Sequence, residues 1–376
     1  MRKIIKKIFL TITILFALTV IAGFLFMNLA PQFGGKVSKE QQEEFEKLEH
    51  YKDGKFVNDE YIDMKMDFNK IQKIIRQLIS PVANTKPKNN ITVKKFDVST
   101  LHKQTSGKTR VTWLGHSSFL IEMDNKTILI DPVFSDYVSP LDLSSAKRFT
   151  NGMPFKLDDL KTIDALIISH DHYDHLDYKT ITNIKDKVKK VFVPLGVENH
   201  FKEWGINSYK IEVLDWWDET SLGNIKLVCT PARHMSGRGI LDHYTTLWSS
   251  WCLIGEHQKL YFSGDGGYGK HFKEIGGKYG PFDLGMMECG QYDEKWAGVH
   301  MTPEESVKAG IDVKASAIMP IHWGAFKLAN HTWIDPVERF VKESETLKVN
   351  YATPSIGESI ELTSEKYTKT KWWKNF

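Results

Sequence analysis

The chain has 376 residues, of which 41% are hydrophobic, and a formal net charge of +3 at pH 7. This composition is ordinary for a globular protein, so the chain can bury the core of one large domain or two small ones. The small net charge gives no argument for a nucleic-acid partner. An odd cysteine count without Cys-x-x-Cys spacing provides no disulfide framework and argues against zinc thiolates. It predicts buried free thiols at Cys229, Cys252 and Cys289.

The first thirty residues form an apolar segment behind a basic start. Four basic residues within the first seven precede an uncharged stretch from Ile8 to Ala30. This stretch is roughly as long as the ~20 residues that cross a bilayer. A cleaved signal peptide has a shorter apolar region, and Asn28-Leu29-Ala30 is a poor cleavage site. We therefore predict an uncleaved membrane anchor over residues 1–30, with the basic end in the cytoplasm and the rest exported. A cleaved signal and a buried helix of a soluble protein are the alternatives.

Residues 31–105 are polar and lysine-rich, and we expect them to form an approach segment between anchor and domain. Residues 40–50 are predicted to be helical. A second helix, around residues 68–78, places its apolar side chains on one face and ends before Pro81. That face could lie on the membrane or pack on the domain, and the sequence leaves both possibilities open.

From Val111 the pattern changes to short apolar strands, within a domain predicted over residues 106–365. Two helix starts carry N-terminal signals, at Thr302-Pro303-Glu304-Glu305 and at Asp335-Pro336-Val337-Glu338. Strands grouped in this way and separated by a few helices predict two sheets with helices outside. Residues 366–376 mix lysines with aromatic residues, and we expect this tail at a membrane interface or frayed in solvent. The strands are predicted at 111–114, 119–123, 127–130, 165–169, 190–193, 225–230, 245–254, 259–263, 283–287 and 317–319.

Histidine and aspartate are concentrated in the segment His170-Asp171-His172-Tyr173-Asp174-His175, directly after a predicted strand. Imidazole and carboxylate are ligands that zinc prefers in catalytic sites. His234, Asp265 and His322 each follow another predicted strand, where a loop can carry chemistry on a rigid scaffold. The glycines beside Asp265 allow the backbone to approach an ion closely. Taken together, these residues predict a metal site.

In this order, the cluster and the three later residues resemble the metallo-β-lactamase fold. Longer stretches resemble one branch, the N-acyl-phosphatidylethanolamine-hydrolysing phospholipases D. They are residues 113–117, 169–178, 264–268 and 321–326, within a resemblance that covers roughly 112–361. The resemblance implies an α/β fold, the αβ/βα sandwich of two mixed sheets with helices outside, here preceded by a transmembrane helix.

The resemblance also implies two metal ions per chain and assigns their ligands. Zinc is favoured by the histidine-rich set, with iron or manganese as alternatives. The implied reaction is hydrolysis by a metal-bound hydroxide, with Asp174 and Asp265 in the catalytic centre. The ligand sets would be His170, His172 and His234 for one ion, Asp174, His175 and His322 for the other, and Asp265 as the bridge.

Three further residues are expected near the metals. His300 matches a family histidine near the substrate phosphate, where it would orient that group or protonate the leaving alcohol. A supporting role behind the ligands, or a surface position, is the alternative for His300. Asp131 would orient a metal-bound histidine, and His116 is expected to be structural.

Candidate substrate contacts are less specific. Arg238 would contact a phosphate or form a buried structural pair. Tyr292 and Trp296 would line an acyl pocket or belong to the core. Each of these alternatives stays open at the level of sequence.

Three functions are consistent with the sequence. The first is a membrane-tethered dinuclear zinc phosphodiesterase, extracytoplasmic and held by residues 8–30. It would hydrolyse N-acyl-phosphatidylethanolamine or a related phospholipid to phosphatidic acid and N-acylethanolamine. The second is a metal-dependent lactonase or ester hydrolase that acts on a soluble metabolite. The third is a non-enzymatic envelope protein that retains the fold, against which the complete ligand set argues.

Overall fold

Two β-sheets form the centre of the fold in the computed structural model, which describes residues 2–62, 68, 71–72, 75, 80, 82–101, 103, 108–142, 146–362 and 367–376. The strands are β1 Tyr51–Lys52, β2 Lys55–Phe56, β3 Arg110–Gly115, β4 Ser118–Met123, β5 Lys126–Ile130, β6 Ile163–Ile167, β7 Val188–Pro194, β8 Ile211–Leu214, β9 Glu219–Leu222, β10 Ile225–Thr230, β11 Ser250–Ile254, β12 Lys259–Phe262, β13 Leu284–Glu288, β14 Ile318–Ile321 and β15 Ser359–Glu361. The α-helices are α1 Arg2–Leu29, α2 Lys39–Phe45, α3 Tyr178–Ile184, α4 Glu198–Glu203, α5 His271–Lys278, α6 Pro303–Asp312 and α7 Asp335–Thr346.

Both sheets combine antiparallel and parallel pairs. One has seven strands in the order β15-β3-β4-β5-β6-β7-β8, and the other has six in the order β14-β13-β12-β11-β10-β9. Strands β5 to β8 run parallel in the first sheet, as do β12 to β14 in the second. The carboxyl ends of parallel strands meet at one edge of a sheet, so the loops after these strands are neighbours.

Alternating side chains along the strands build a core on both faces of the seven-stranded sheet. Ile128 and Ile130 of β5 face the core shared with the six-stranded sheet. Leu129, between them, packs in a second cluster with Ile181 of α3 and Phe201 of α4. This two-residue period is expected of a strand buried on both faces. The predicted α/β sandwich of two mixed sheets with helices outside is confirmed.

Element boundaries depart from the prediction where polar groups bond locally. The strand predicted at 245–254 begins only at Ser250, because Thr245 bonds back to Asp242 O in a loop. The helix predicted at 40–50 ends at Phe45. Thr302 and Glu305 form the predicted capping box of α6. Helix α7 begins at Asp335, but Ile334 occupies the cap position, so Asp335 is not the cap that its pattern suggested.

The N-terminal region consists of an exposed helix and a packed segment. Helix α1 has no buried residue and is long and apolar enough to cross a membrane. In the segment that follows, Phe45, Tyr51 and Phe56 are buried in the main core. The helix predicted around residues 68–78 lies mostly outside the described residues, and so do the domain boundaries predicted near residues 105 and 365.

The C-terminal tail is packed against the domain, which differs from the prediction. Trp372 and Trp373 are buried, although the tail was expected at a membrane interface or in solvent. Trp372 stacks on Trp323 with ring centroids 5.3 Å apart, and its Nε1 donates to Pro354 O at 3.1 Å. Burial of two indoles outweighs the cost of ordering the lysines beside them, because a large aromatic surface leaves water.

Candidate metal centre

The candidate ligands lie in loops at the carboxyl ends of strands in both sheets. The cluster at residues 170–175 follows β6, Asp265 follows β12 and His322 follows β14. His234 follows β10, which runs in the same direction as β12 because each is antiparallel to β11. The seven predicted metal ligands therefore come together at one edge of the sandwich.

Three imidazoles form the first group. His170 Nε2 lies 2.9 Å from His172 Nδ1, and His234 Nε2 lies 3.3 Å from the same nitrogen. Ring nitrogens that converge so closely are arranged as three ligands of one ion would be.

A second group is built around two carboxylates. Asp174 Oδ2 lies 3.6 Å from His175 Nε2 and 3.9 Å from His322 Nδ1. Asp265 Oδ2 lies 3.1 Å from Nε2 of both His175 and His322. It is also 3.9 Å from His234 Nε2 in the first group. Asp265 therefore connects the two groups, which is the position expected of a bridging carboxylate.

Most of these imidazoles are oriented through a second ring nitrogen. His234 Nδ1 donates to Val299 O at 2.9 Å, which leaves Nε2 with a lone pair. Such outer contacts fix the tautomer and orientation of a metal-binding histidine. The other partners are Ser169 Oγ for His170 Nδ1, Asp131 Oδ2 for His175 Nδ1 and Ser117 Oγ for His322 Nδ1, at 2.9, 2.7 and 3.3 Å.

Asp131 and His116 support the second group from behind. Asp131 accepts hydrogen bonds from His175 and from the backbone and hydroxyl of Ser169, as expected for an orienting carboxylate. His116 Nε2 lies 2.8 Å from Asp174 Oδ2. His116, Asp131 and His322 all have positive φ. For residues with a side chain this conformation costs about 1–3 kcal/mol and persists where the surrounding structure holds it.

The electrostatics of the cluster favour neutral imidazole at three of the histidines and ionised carboxylate at Asp265, whereas the two carboxylates beside His175 favour its charged form. Burial lowers the pKa of His170, His234 and His322 well below its usual value. Burial would raise the pKa of Asp265, but His175 and His322 hold it well below the ordinary range. Burial would lower the pKa of His175, but Asp265 and Asp174 raise it well above normal. Neutral imidazole and carboxylate are the forms that bind metal, so His175 would release a proton on binding an ion whereas the other three histidines are already neutral.

The donor set fits a divalent metal site. Asp265 Oδ1 is buried and has no hydrogen-bond partner among the described residues. Leaving a buried carboxylate oxygen without a partner is costly, and a cation is a natural partner for it. Gly264, at φ +57°, keeps this turn close to β11, since a Cβ there would lie 2.5 Å from Ser249 O.

We expect Asp131→Asn to lower metal affinity about 10–100-fold, because an amide cannot supply the charged acceptor that holds His175. Asparagine readily adopts the positive φ found at this position. Competition against a chromophoric chelator measures the affinity. Asp164→Asn is the matched control, since Asp164 is a buried carboxylate that bonds Thr127 N and Lys189 instead. Equal affinities in the two variants would contradict the orienting role.

Sequence reasoning missed Glu288. This residue ends β13, is fully buried, and accepts from Met301 N at 2.9 Å. Its Oε1 lies 3.4 Å from His300 Nδ1. Burial raises the pKa of Glu288 to about 7, although the hydrogen bond from His300 opposes this shift. The sequence did offer a signal for a functional role of Glu288, since a glutamate ends an otherwise apolar strand there.

His300 lies beside both ligand groups. Its ring stacks on His322 with centroids 5.3 Å apart and meets His234 edge-on at 5.1 Å. The side chain is only partly buried. The structure therefore brings His300 to the cluster, and its direct role in the reaction stays a prediction.

Arg238 is buried behind the metal-binding loop, residues 170–176, which carries four of the candidate ligands. Its Nη1 donates to the carbonyls of Asp171 and Leu176 at 2.6 and 2.8 Å. Its Nε and Nη2 donate to Gln32 O at 2.9 and 2.7 Å. The guanidinium also lies 4.1 Å from the ring centroid of Tyr173. Of the two roles that the sequence left open for Arg238, these contacts fit the buried structural role and not the contact with a substrate phosphate.

Tyr292 and Trp296 are engaged with neighbouring protein groups. The hydroxyl of Tyr292 bonds Asp335, and its ring stacks on His331 at 4.6 Å. Trp296 Nε1 donates to Gln291 O at 2.8 Å. An acyl pocket lined by these two residues remains a prediction.

Several known proteins are similar to this chain in sequence or in fold. The model of the beta-lactamase superfamily domain matches residues 126–323. An uncharacterised protein of Mycobacterium tuberculosis is 38% identical over 334 residues, 88% of each chain. The N-acyl-phosphatidylethanolamine-hydrolyzing phospholipase D 1 of Caenorhabditis elegans is 35% identical over 293 residues, 73% of this chain and 80% of the worm protein. Igni18, a metallo hydrolase of the archaeon Ignicoccus hospitalis, has the same fold, with a TM-score of 0.52 and 19% identity over 68% of this chain and 98% of that one.

Proposed function

The chain belongs to the beta-lactamase superfamily and is a metal-dependent hydrolase. From this premise we propose that it is a membrane-tethered phosphodiesterase of phospholipase D type. The substrate would be N-acyl-phosphatidylethanolamine or a related phospholipid, and the products phosphatidic acid and N-acylethanolamine. The proposal is carried by the convergence of the two ligand groups on Asp265, in a chain 35% identical to an enzyme named for that reaction.

The residues present would hold two divalent ions. One group, His170, His172 and His234, would bind the first ion, and Asp265 would be shared. The other would be Asp174, His175 and His322. When bound, such ions supply Lewis-acid activation of water and of the phosphoryl oxygens. Zinc is the proposed metal because imidazole and carboxylate suit it, and iron or manganese would be accepted by the same donors.

His300 is the residue that we assign to the leaving group. Glu288 occupies the Nδ1 side of its ring, which directs the Nε2 edge away from Glu288. A proton on Nε2 would pass to the oxygen of the leaving N-acylethanolamine as its bond to phosphorus breaks. The oxygen of the attacking water would stay on phosphorus, in phosphatidic acid.

A lipid substrate is supported by the short path between α1 and the metal-binding loop. The ring of Phe26, near the end of α1, lies 5.5 Å from that of Phe33. Phe33 in turn lies 6.3 Å from Tyr173, which stands between His172 and Asp174. An anchor that ends so close to the site would hold the ligand cluster beside the bilayer surface.

The test is a substrate panel with the full chain in proteoliposomes. We expect N-acyl-phosphatidylethanolamine to be hydrolysed, with activity lost to a chelator and restored by Zn²⁺. In H₂¹⁸O the label should enter phosphatidic acid and not N-acylethanolamine, because water attacks phosphorus. An acyl-homoserine lactone serves as the competing substrate. Lactone opening without any phosphodiester cleavage would refute the proposal in favour of a lactonase.

A further inference from the structure

The segment that follows α1 is held firmly against the domain. Trp204 Nε1 donates to Pro31 O at 2.7 Å, and Gln32 Nε2 donates to Pro140 O at 2.9 Å. Arg238 adds two hydrogen bonds to Gln32 O. Gly34 is packed so closely that a Cβ there would lie 2.2 Å from His200 Nδ1. This linker, residues 30–38 between α1 and α2, therefore fixes the orientation of the domain relative to α1, whereas a flexible tether would leave that orientation free.

Cavities flank the end of α1. One, of about 380 Å³, lies between Phe24 and Met27 of the helix and the loop at residues 239–242. Lys36 lines the same cavity. Another, of about 290 Å³, lies between Phe26 and Leu141 and includes Tyr173 of the metal-binding loop. The helix end, the exposed loops and the metal-binding loop therefore share one side of the molecule.

The loop at residues 239–242 presents large apolar side chains to the outside. Ile240 is 69% exposed and Leu241 is 80% exposed. Leu141, at the second cavity, is 52% exposed. Adjacent exposed apolar residues mark an interaction surface. Because these residues surround the end of a helix long enough to cross a bilayer, the surface that would cover them is the bilayer itself.

We propose that the loop at residues 239–242 docks on the leaflet from which α1 emerges, with Ile240 and Leu241 inserted among the acyl chains. Chains of that leaflet would fill the cavity between this loop and α1, and Lys36 would meet a lipid phosphate at its rim. This inference rests on the proposed membrane anchoring of α1. Docking would hold the domain at a fixed depth, with Tyr173 and the metal-binding loop beside the lipid surface.

The depth of a spin label at position 241 tests the proposal. The full chain carrying Leu241→Cys is labelled with a nitroxide in nanodiscs of phosphatidylcholine and phosphatidylglycerol. Its accessibility to oxygen and to a water-soluble nickel complex is then measured. The native cysteines are buried, and the labelled wild type gives the background. Ile14→Cys reports the middle of α1, and Leu347→Cys reports an exposed apolar position after α7 that is 47% exposed.

We expect positions 14 and 241 to favour oxygen, as sites in lipid do, and position 347 to favour the nickel complex. If position 14 lies in lipid while 241 behaves like 347, the anchor stands and the docking surface is wrong. If position 14 is also in water, both the anchor and the docking surface are overturned.

Kinetics provide a second readout. Activity on phospholipid in vesicles is compared with activity on a soluble phosphodiester. In the double variant Ile240→Ser and Leu241→Ser, the ratio of the first activity to the second should fall at least about tenfold. The reason is that the variant loses the favourable free energy of moving two large apolar side chains from water into lipid. The matched control is Ile311→Ser, an exposed apolar position on α6. An unchanged ratio in the double variant would contradict docking.

Discussion

Replacing Asp265 by alanine is expected to lower kcat/KM on the phospholipid by about 10³-fold or more, since the electrostatic stabilisation lost with a metal centre is several kcal/mol. Asp265 Oδ2 lies within 3.1 Å of His175 and His322 and 3.9 Å of His234. Removing this carboxylate should therefore weaken both ligand groups at once. Release of N-acylethanolamine, metal content by mass spectrometry and thermal unfolding would be measured on the same preparation.

His172→Ala should separate the two groups. His172 lies against His170 and His234, the other two members of the first group. We therefore expect this variant to lose the ion of the first group and to retain the ion of the second. Turnover should fall as it does in Asp265→Ala. His257→Ala and Asp186→Ala replace exposed residues of the same types and should keep metal content and activity. Full activity in either Asp265→Ala or His172→Ala would exclude the proposed centre.

Arg238→Met should be among the most destabilising single substitutions, with a loss of about 3–5 kcal/mol in the free energy of unfolding. The variant leaves carbonyls of Gln32, Asp171 and Leu176 without the guanidinium that they share. Because Gln32 follows α1, the linker should detach and trypsin should cut faster after Lys36. Chemical unfolding in detergent and timed proteolysis of the full chain would measure the two effects.

Arg148→Met is the matched control for Arg238. Arg148 is also buried, donates to the carbonyls of Val133 and Ser135, and stacks on Phe326. Its loss should destabilise the fold without faster cleavage after Lys36. Arg238→Lys should restore part of the stability, because an ammonium keeps the charge but lacks the planar fork of donors. Unchanged cleavage after Lys36 in Arg238→Met would show that Arg238 does not hold the linker.

The candidate ligand residues could be picked out from the sequence because their signal is local, and the resemblance to the metallo-β-lactamase fold then assigned them to two groups. Four of the seven residues stand within six positions after an apolar strand, and each of the others follows a strand of its own. Residue type decides which groups can bind a metal, and strand ends decide which loops share an edge. The sequence also predicted that Asp131 would orient one of the candidate histidines, and the structure shows that this histidine is His175.

Other features could not be predicted because they depend on segments far apart in the chain. Arg238 stands 206 positions from Gln32, whose carbonyl it holds. Glu288 becomes significant only when β13 brings it against His300. Trp372 and Trp373 look like a solvated or interfacial pair until Trp323 and Pro354 are placed beside them.

The amino-acid sequence alone thus determined the fold class, the candidate ligands and an apolar segment long enough to span a bilayer, since periodicity, ligand chemistry and segment length are local properties. Only the tertiary structure decided that Arg238 joins the linker to the metal-binding loop, and that Ile240 and Leu241 stand beside the end of α1. Those relations arise from packing between distant segments, which local patterns do not encode.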